Sequence, residues 1–300
     1  MPHWETADKM MGDYYNLYRL TSTRELVVKR ELEDGSGEAV LYAPGSSFNC
    51  DTMVMKAAVE KDEPARVYSS VATKNEEPVR NDFKESENMA YNESIGVGSR
   101  DFNLDESGFM CKDERLEDLG GGIIEVFAIK DSLVHSTKLG IKTVEVRNQV
   151  LATETSFKRL SGKKKEIIHL ATHGFYWKEP HAQHNDYEKL SFFQPDNAMT
   201  RSGLLFCGAQ HTFDCETLPA GVDDGVLTAQ EISNLDLRGV RIISLSACKT
   251  GLGEIVGSEG VFGLQRGFKK AGVQTIVMSL WSVHDVAARD FMEKFYGGIA

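Results

Sequence analysis

No stretch of this chain approaches the roughly 18 to 20 consecutive apolar residues that a membrane-spanning helix requires, and the opening MPHWETADKMMGDYY lacks the apolar centre of a secretory signal. The expectation is a cytoplasmic protein with no membrane partner. Cysteine is scarce: Cys50, Cys111, Cys207, Cys215 and Cys248 are odd in number, widely scattered and contain no C-x-x-C pair. That pattern argues against a disulfide framework and against a structural zinc site. Positive charge is also short. Lys and Arg total 34 against 45 Asp and Glu, a formal net charge of −11. Residues 1–120 hold 14 basic and 25 acidic side chains, and 121–300 hold 20 of each. An acidic front and a neutral back give a phosphate backbone nothing to bind, which excludes nucleic acid as a direct partner.

What remains is the profile of a globular chain. At 300 residues and 41% hydrophobic it can build one large α/β domain or two small ones. Residues 14–29 (YYNLYRLTSTRELVVK) mix aromatic and β-branched positions with charge, and Glu38–Ala43 (EAVLYA) reads as a short strand. Between about 59 and 118 the apolar residues thin out and neither a period of 2 nor one of 3.6 persists, so this is read as an acidic, mobile insertion. From Gly120 onward, strand-like runs alternate with helix-like ones. Short β-branched runs separated by helical patterns indicate a parallel sheet with helices on its faces. Residues 202–210 (SGLLFCGAQ) and 223–235 (DDGVLTAQEISNL) read as a strand and then a capped helix, with Thr228 and Glu231 spaced as a capping box. A last helix is expected over 285–296.

Two of the strands carry the chemistry. EIIHLA ends at THG and VRIISLSA ends at CKTG, so His173 and Cys248 each lie just past the carboxyl end of a buried strand, where open α/β sheets form their crevices. If the strands are neighbours, Cys248 is a nucleophile and His173 the base that takes its proton and later returns it to the leaving amine. The N–H groups of Gly174 and Cys248 are then candidates for an oxyanion hole, a contribution of roughly 3 to 4 kcal/mol per donor. Against this stands the ordinary role of a single Cys or His after a core strand, as a small buried hydrophobe or a satisfied core residue. The caspase signature Q-A-C-x-G, with its His about 50 residues upstream, fits only loosely. Here the sequence is S-A-C-K-T-G and the separation is 75 residues. The glycines at 251, 253, 257 and 260 miss the dinucleotide-binding spacing by one residue. His181, His184, Cys207, His211 and Cys215 are too irregularly spaced for a metal site. No cofactor and no metal are expected.

A family resemblance covers most of 16–296. NLYRLTSTREL (16–26), AVLYA (39–43), ATETSFKRLSGKKKEIIHLATHGFYW (152–177), RSGLLFCGA (201–209), DDGVLTAQEISNLDLRG (223–239), LSACKTGLGEIVGSEGVFGLQRGFKKAG (245–272) and VMSLWSVHD (277–285) resemble the CHAT domain. That is the caspase-like, separase-related cysteine peptidase domain, often fused to tetratricopeptide repeats in bacteria. The resemblance implies a caspase-like α/β fold, with a mostly parallel sheet flanked by helices on both faces, and a His–Cys dyad at His173 and Cys248. It implies cleavage of a protein or peptide substrate after Arg or Lys, with Asp285 in the S1 pocket and Asp223 and Asp224 as weaker alternatives.

Three features depart from the family. Lys249 follows the cysteine where Glu or Gln is usual, His284 replaces the first acid of V-D-D, and the pattern begins and stops early. The expectation is therefore one CHAT domain over 1–300, truncated at both ends, with the insertion 59–118 inside it. Its activity is expected to be regulated by a repeat-containing protein partner. The alternative is a catalytically silent interaction module on the same fold.

Overall fold

The computed structural model describes residues 35–61, 66–69, 115–136, 138–176, 197–246, 263–279 and 285–300. Residues 14–29, most of 59–118 and the segment containing Cys248 lie outside these. In chain order the elements are β1 (Glu38–Ala43), α1 (Thr52–Lys61), β2 (Arg66–Ser69), α2 (Gly120–Val134), β3 (Thr143–Asn148) and α3 (Glu154–Lys158). Then come β4 (Ile167–Ala171), β5 (Gly174–Tyr176), α4 (Asn197–Thr200), β6 (Ser202–Leu205), α5 (Ala209–Phe213) and β7 (Val226–Thr228). The chain continues through α6 (Ala229–Ile232), β8 (Ile242–Ser246), α7 (Gly263–Ala271), β9 (Thr275–Met278) and α8 (Asp285–Ile299).

Residue alternation explains the layering. In β1, Val40 and Tyr42 join one buried cluster, whereas Ala39, Leu41 and Ala43 join another. Side chains in a strand point to opposite faces in turn, so a strand apolar at every position must be covered on both sides. Val126, Ile129 and Leu133 of α2, with Met292 and Tyr296 of α8, cover one face. Phe157 of α3, Ile232 of α6, and Leu264 and Phe268 of α7 cover the other. Each such side chain removed from water contributes about 1.5–3 kcal/mol.

The main sheet has the strand order β2-β3-β1-β4-β8-β9. All its pairings are parallel except β2 with β3. This is the mostly parallel, helix-flanked sheet expected. The edge strand is a correction: residues 66–69 fall within the stretch read as an irregular insertion, yet pair antiparallel with Thr143–Val146. Four residues with Val67 exposed give too short a pattern to reveal a strand. A second sheet, β5-β6-β7, is antiparallel throughout and packs a small cluster of Phe48, Leu116, Phe175, Leu205, Phe213 and Val226.

The helix starts follow the local sequence. Thr153 caps α3 by accepting a hydrogen bond from the Ser156 N–H at 3.1 Å. At α6 the capping box is complete: Thr228 Oγ1 accepts from the Glu231 N–H at 3.2 Å, and Glu231 Oε2 accepts from the Thr228 N–H at 2.9 Å. Gly122, near the start of α2, lies so close to the end of β4 that a Cβ there would be 3.2 Å from that of Ala171. The absence of a side chain lets α2 approach the carboxyl edge of the sheet, where the candidate site is found.

Candidate active site

Strands β4 and β8 are parallel neighbours with Ala171 opposite Ser246, and the Thr172 N–H extends the pairing by donating to the Ser246 carbonyl at 3.3 Å. Two residues beyond Ala171 is His173, and two residues beyond Ser246 in the sequence is Cys248. The neighbouring strands required by the dyad are present. Cys248 itself lies outside the described residues, as do Lys249, the glycines at 251, 253, 257 and 260, His181 and His184.

His173 sits at a junction between the two sheets. Only Thr172 and His173 separate β4 of the main sheet from β5 of the second. The chain is held there from both directions: Thr172 Oγ1 donates to the Leu205 carbonyl, and the Leu205 N–H donates to the His173 carbonyl at 2.9 Å. The imidazole is partly exposed and lies against the Phe48 ring, with centroids 4.9 Å apart. Its Nε2 is 2.7 Å from the Glu117 carbonyl oxygen. A carbonyl only accepts, so Nε2 carries the proton and the neutral ring has its lone pair on Nδ1. Burial lowers the His173 pKa from its ordinary value, opposed by the Glu117 carbonyl and by the charges of Glu117 and Asp118. The ring is therefore a neutral base in the physiological range.

Four residues earlier on β4 a second histidine has different surroundings. His169 is fully buried, its Nδ1 is 2.7 Å from Ser244 Oγ, and that hydroxyl in turn bonds the Tyr296 hydroxyl. His169 Nε2 is 2.9 Å from Glu125 Oε1, close enough for an ion pair but not in line for a hydrogen bond. The other Glu125 oxygen accepts from Ser246 Oγ at 2.9 Å. This buried network joins α2, β4, β8 and α8. An acidic residue within the apolar run of α2 is the only hint of it in the sequence.

The other expected residues are scattered among different roles. Gly174 begins β5 opposite Leu204. Asp223 is engaged by Lys158 Nζ at 3.1 Å and by the Thr155 hydroxyl. Lys158 also meets Glu154 and Glu231 at 2.5 and 3.0 Å. Asp224 Oδ1 accepts from the Val226 N–H at 2.9 Å, an Asx-type turn leading into β7. Asp285 is the first residue of α8. Phe48 and the Glu117 carbonyl, which frame His173, escaped the sequence reading. Phe48 is far away in the chain, and a backbone oxygen has no residue-type signal.

Among the described residues no group of His, Cys, Asp and Glu is arranged to hold a metal ion. His211 instead turns one ring nitrogen to Glu216 Oε2 at 2.7 Å and the other to the Cys50 carbonyl at 2.6 Å. No helix among them is long and apolar enough to cross a membrane. Among the described residues Cys215 is disulfide-bonded, whereas Cys50 and Cys207 are free thiols.

The sequence profile of the CHAT domain matches residues 52–300. The chain belongs to the CHAT domain family. The fold is that of its caspase-like, cysteine-peptidase-related class. Strand β1 of the CHAT domain precedes the matched span, yet lies between β3 and β4 in the sheet. Neither the curated proteins nor the solved structures yield a match.

Proposed function

We propose that this CHAT domain is a cysteine endopeptidase in which Cys248 is the nucleophile and His173 its general base. The observation that carries the reading is the hydrogen bond from His173 Nε2 to the Glu117 carbonyl at 2.7 Å, at the carboxyl end of a strand adjoining the one that leads to Cys248. This bond fixes the tautomer that leaves Nδ1 as the proton acceptor. Nδ1 takes the Cys248 proton as sulfur attacks the scissile carbonyl carbon, and it returns that proton to the departing amine. Water then attacks the thioester carbonyl, His173 takes its proton, and the thiol is regenerated as the acid leaves. The N–H groups of Gly174 and Cys248 receive the oxyanion at both stages.

Specificity for Arg or Lys follows from an acidic S1 pocket, assigned first to Asp285. Asp223 and Asp224 are weaker choices, because Lys158 and the Thr155 hydroxyl already engage the first and the β7 turn uses the second. A repeat-containing protein is the expected regulator.

The test is covalent labelling of the chain by acyloxymethyl ketone peptide probes with Arg, Lys or Asp at P1, followed by intact mass. A single adduct with the Arg or Lys probe is expected, abolished in Cys248→Ala and slowed about 10²–10⁴-fold in His173→Ala. Asp285→Ala should lose the preference for the basic probes. An inert Cys248 in the folded wild type overturns the proposal and favours the silent interaction module.

A further inference from the structure

Two cysteines with no part in the proposed chemistry meet beside the candidate site. Cys50 and Cys207, separated by 157 residues in the chain, bring their sulfurs to 2.8 Å and are both free thiols. We propose that Cys50 and Cys207 form a reversible thiol–disulfide site, closed by low-molecular-weight disulfides of the glutathione class, which fastens the segment bearing Phe48 across from His173.

The roles of the two thiols differ. Cys207 is 1% exposed, whereas Cys50 is partly exposed on the turn between Ser47–Asn49 and α1. A soluble disulfide therefore reaches Cys50 first. The electrostatics agree with this order. Both ring nitrogens of His211 face acceptors, the Glu216 carboxylate and the Cys50 carbonyl, an arrangement satisfied by a doubly protonated ring. Burial opposes that charge, but these two acceptors hold the His211 pKa above its ordinary value. The Cys50 thiol is lowered chiefly by the hydrogen bond from Cys207, against burial, and further by the His211 charge. Cys207 is raised by the same hydrogen bond and by burial. Cys50 is the attacking thiolate and Cys207 the resolving thiol.

The exchange balances in two steps. Cys50 Sγ attacks one sulfur of the external disulfide, the old S–S bond breaks, and one thiolate leaves and is protonated. Cys207 then loses its proton, its sulfur attacks Cys50 Sγ, the mixed disulfide breaks, and a second thiol is released. The external disulfide gains the two electrons that the protein thiols lose. Closing the bond to about 2.05 Å requires a shift of under about 1 Å between the sulfurs.

Geometry gives the bond its consequence for the site. Cys207 is anchored by its N–H to the Ala152 carbonyl at 3.0 Å, and the next residue, Gly208, donates to the Ser47 carbonyl at 3.1 Å. Gly208 has a positive φ of 86°, and a Cβ there would overlap Met55 of α1. Phe48 lies two residues before Cys50 and packs on His173. Oxidation thus adds a covalent tie to a contact held by the Gly208–Ser47 and His211–Cys50 hydrogen bonds, two residues from the Phe48 ring that packs on His173. The proposal is independent of peptidase activity.

The test equilibrates the purified full chain in glutathione buffers from fully reduced to fully oxidised, quenches with acid, alkylates the remaining thiols and maps peptides. In the wild type, Cys50 and Cys207 should lose alkylation together, appear as one linked pair short of two hydrogens, and recover with dithiothreitol. Cys207→Ser should trap glutathione on Cys50, and Cys50→Ser should leave Cys207 unmodified. The proposal is overturned if both thiols remain fully alkylated in the oxidised buffers. It is equally overturned if glutathione accumulates on Cys207 in Cys50→Ser but not on Cys50 in Cys207→Ser.

Discussion

His169 and His173 leave the same strand four residues apart, and their surroundings divide the work of the fold between them. Both nitrogens of His169 lie against fixed partners, Ser244 and Glu125, in a region closed to water. His173 commits Nε2 to a backbone carbonyl, packs one face on Phe48 and stays partly exposed. A buried histidine set between a hydroxyl and a carboxylate contributes to stability and to the register of the strands around it. One with a nitrogen held and the other available can move a proton. Strand position alone does not separate these two settings; burial and the groups that face each ring do.

The contrast can be broken by substitution. The largest effect on stability is expected from His169→Ala, which leaves the Glu125 carboxylate buried opposite an empty space. A loss of about 3–5 kcal/mol is predicted in urea unfolding, with labelling of Cys248 in the folded fraction reduced far less than by His173→Ala. A smaller effect is expected from Ser246→Ala, which removes one hydrogen bond to Glu125 Oε2. That change should cost about 1–3 kcal/mol and leave the pH profile of labelling unmoved, since the network ends short of the imidazole of His173. A shifted profile in Ser246→Ala would join the two regions into one unit.

Much of the sheet was legible in the residues. EAVLYA, EIIHLA and VRIISLSA became β1, β4 and β8 with nearly the expected limits, because fully buried strands concentrate β-branched and apolar residues. The capping box at Thr228 was legible too, since its two bonds are local. Of the second sheet only β6 was legible, within SGLLFCGAQ; its partners β5 and β7 were not, because strands of three residues are too short to establish a period. Nor was the setting of His173: Phe48 arrives from 125 residues away, and Glu117 acts through its carbonyl. The Cys50–Cys207 contact is lost to sequence reading for the same reason, and scattered spacing even argued against such pairing.

The candidate site residues lie in unlike surroundings. His173 could be chosen from its place after a buried strand, and the neighbouring strands supply the edge that choice required. Asp223 and Asp224 were plausible acids on paper, but their carboxylates have local employment, one with Lys158 and Thr155 and one in the turn before β7. Residue type announces charge and not whether that charge is already compensated.

The most direct measurement is the rate of Cys248 labelling by the Arg probe as a function of pH, in the wild type and in His173→Ala. Because burial lowers the His173 pKa, the folded chain binds this proton less readily than the unfolded one. Its contribution therefore destabilises the fold only as pH drops below about 6.5, and the neutral base survives through that point. The wild-type rate is predicted to hold through pH 6.5 and to fall only in more acid solution. In His173→Ala the rate should be lower throughout and rise toward the ordinary thiol range of about 8.5. Superimposable profiles in the two proteins would contradict the assignment of His173 as the base for Cys248.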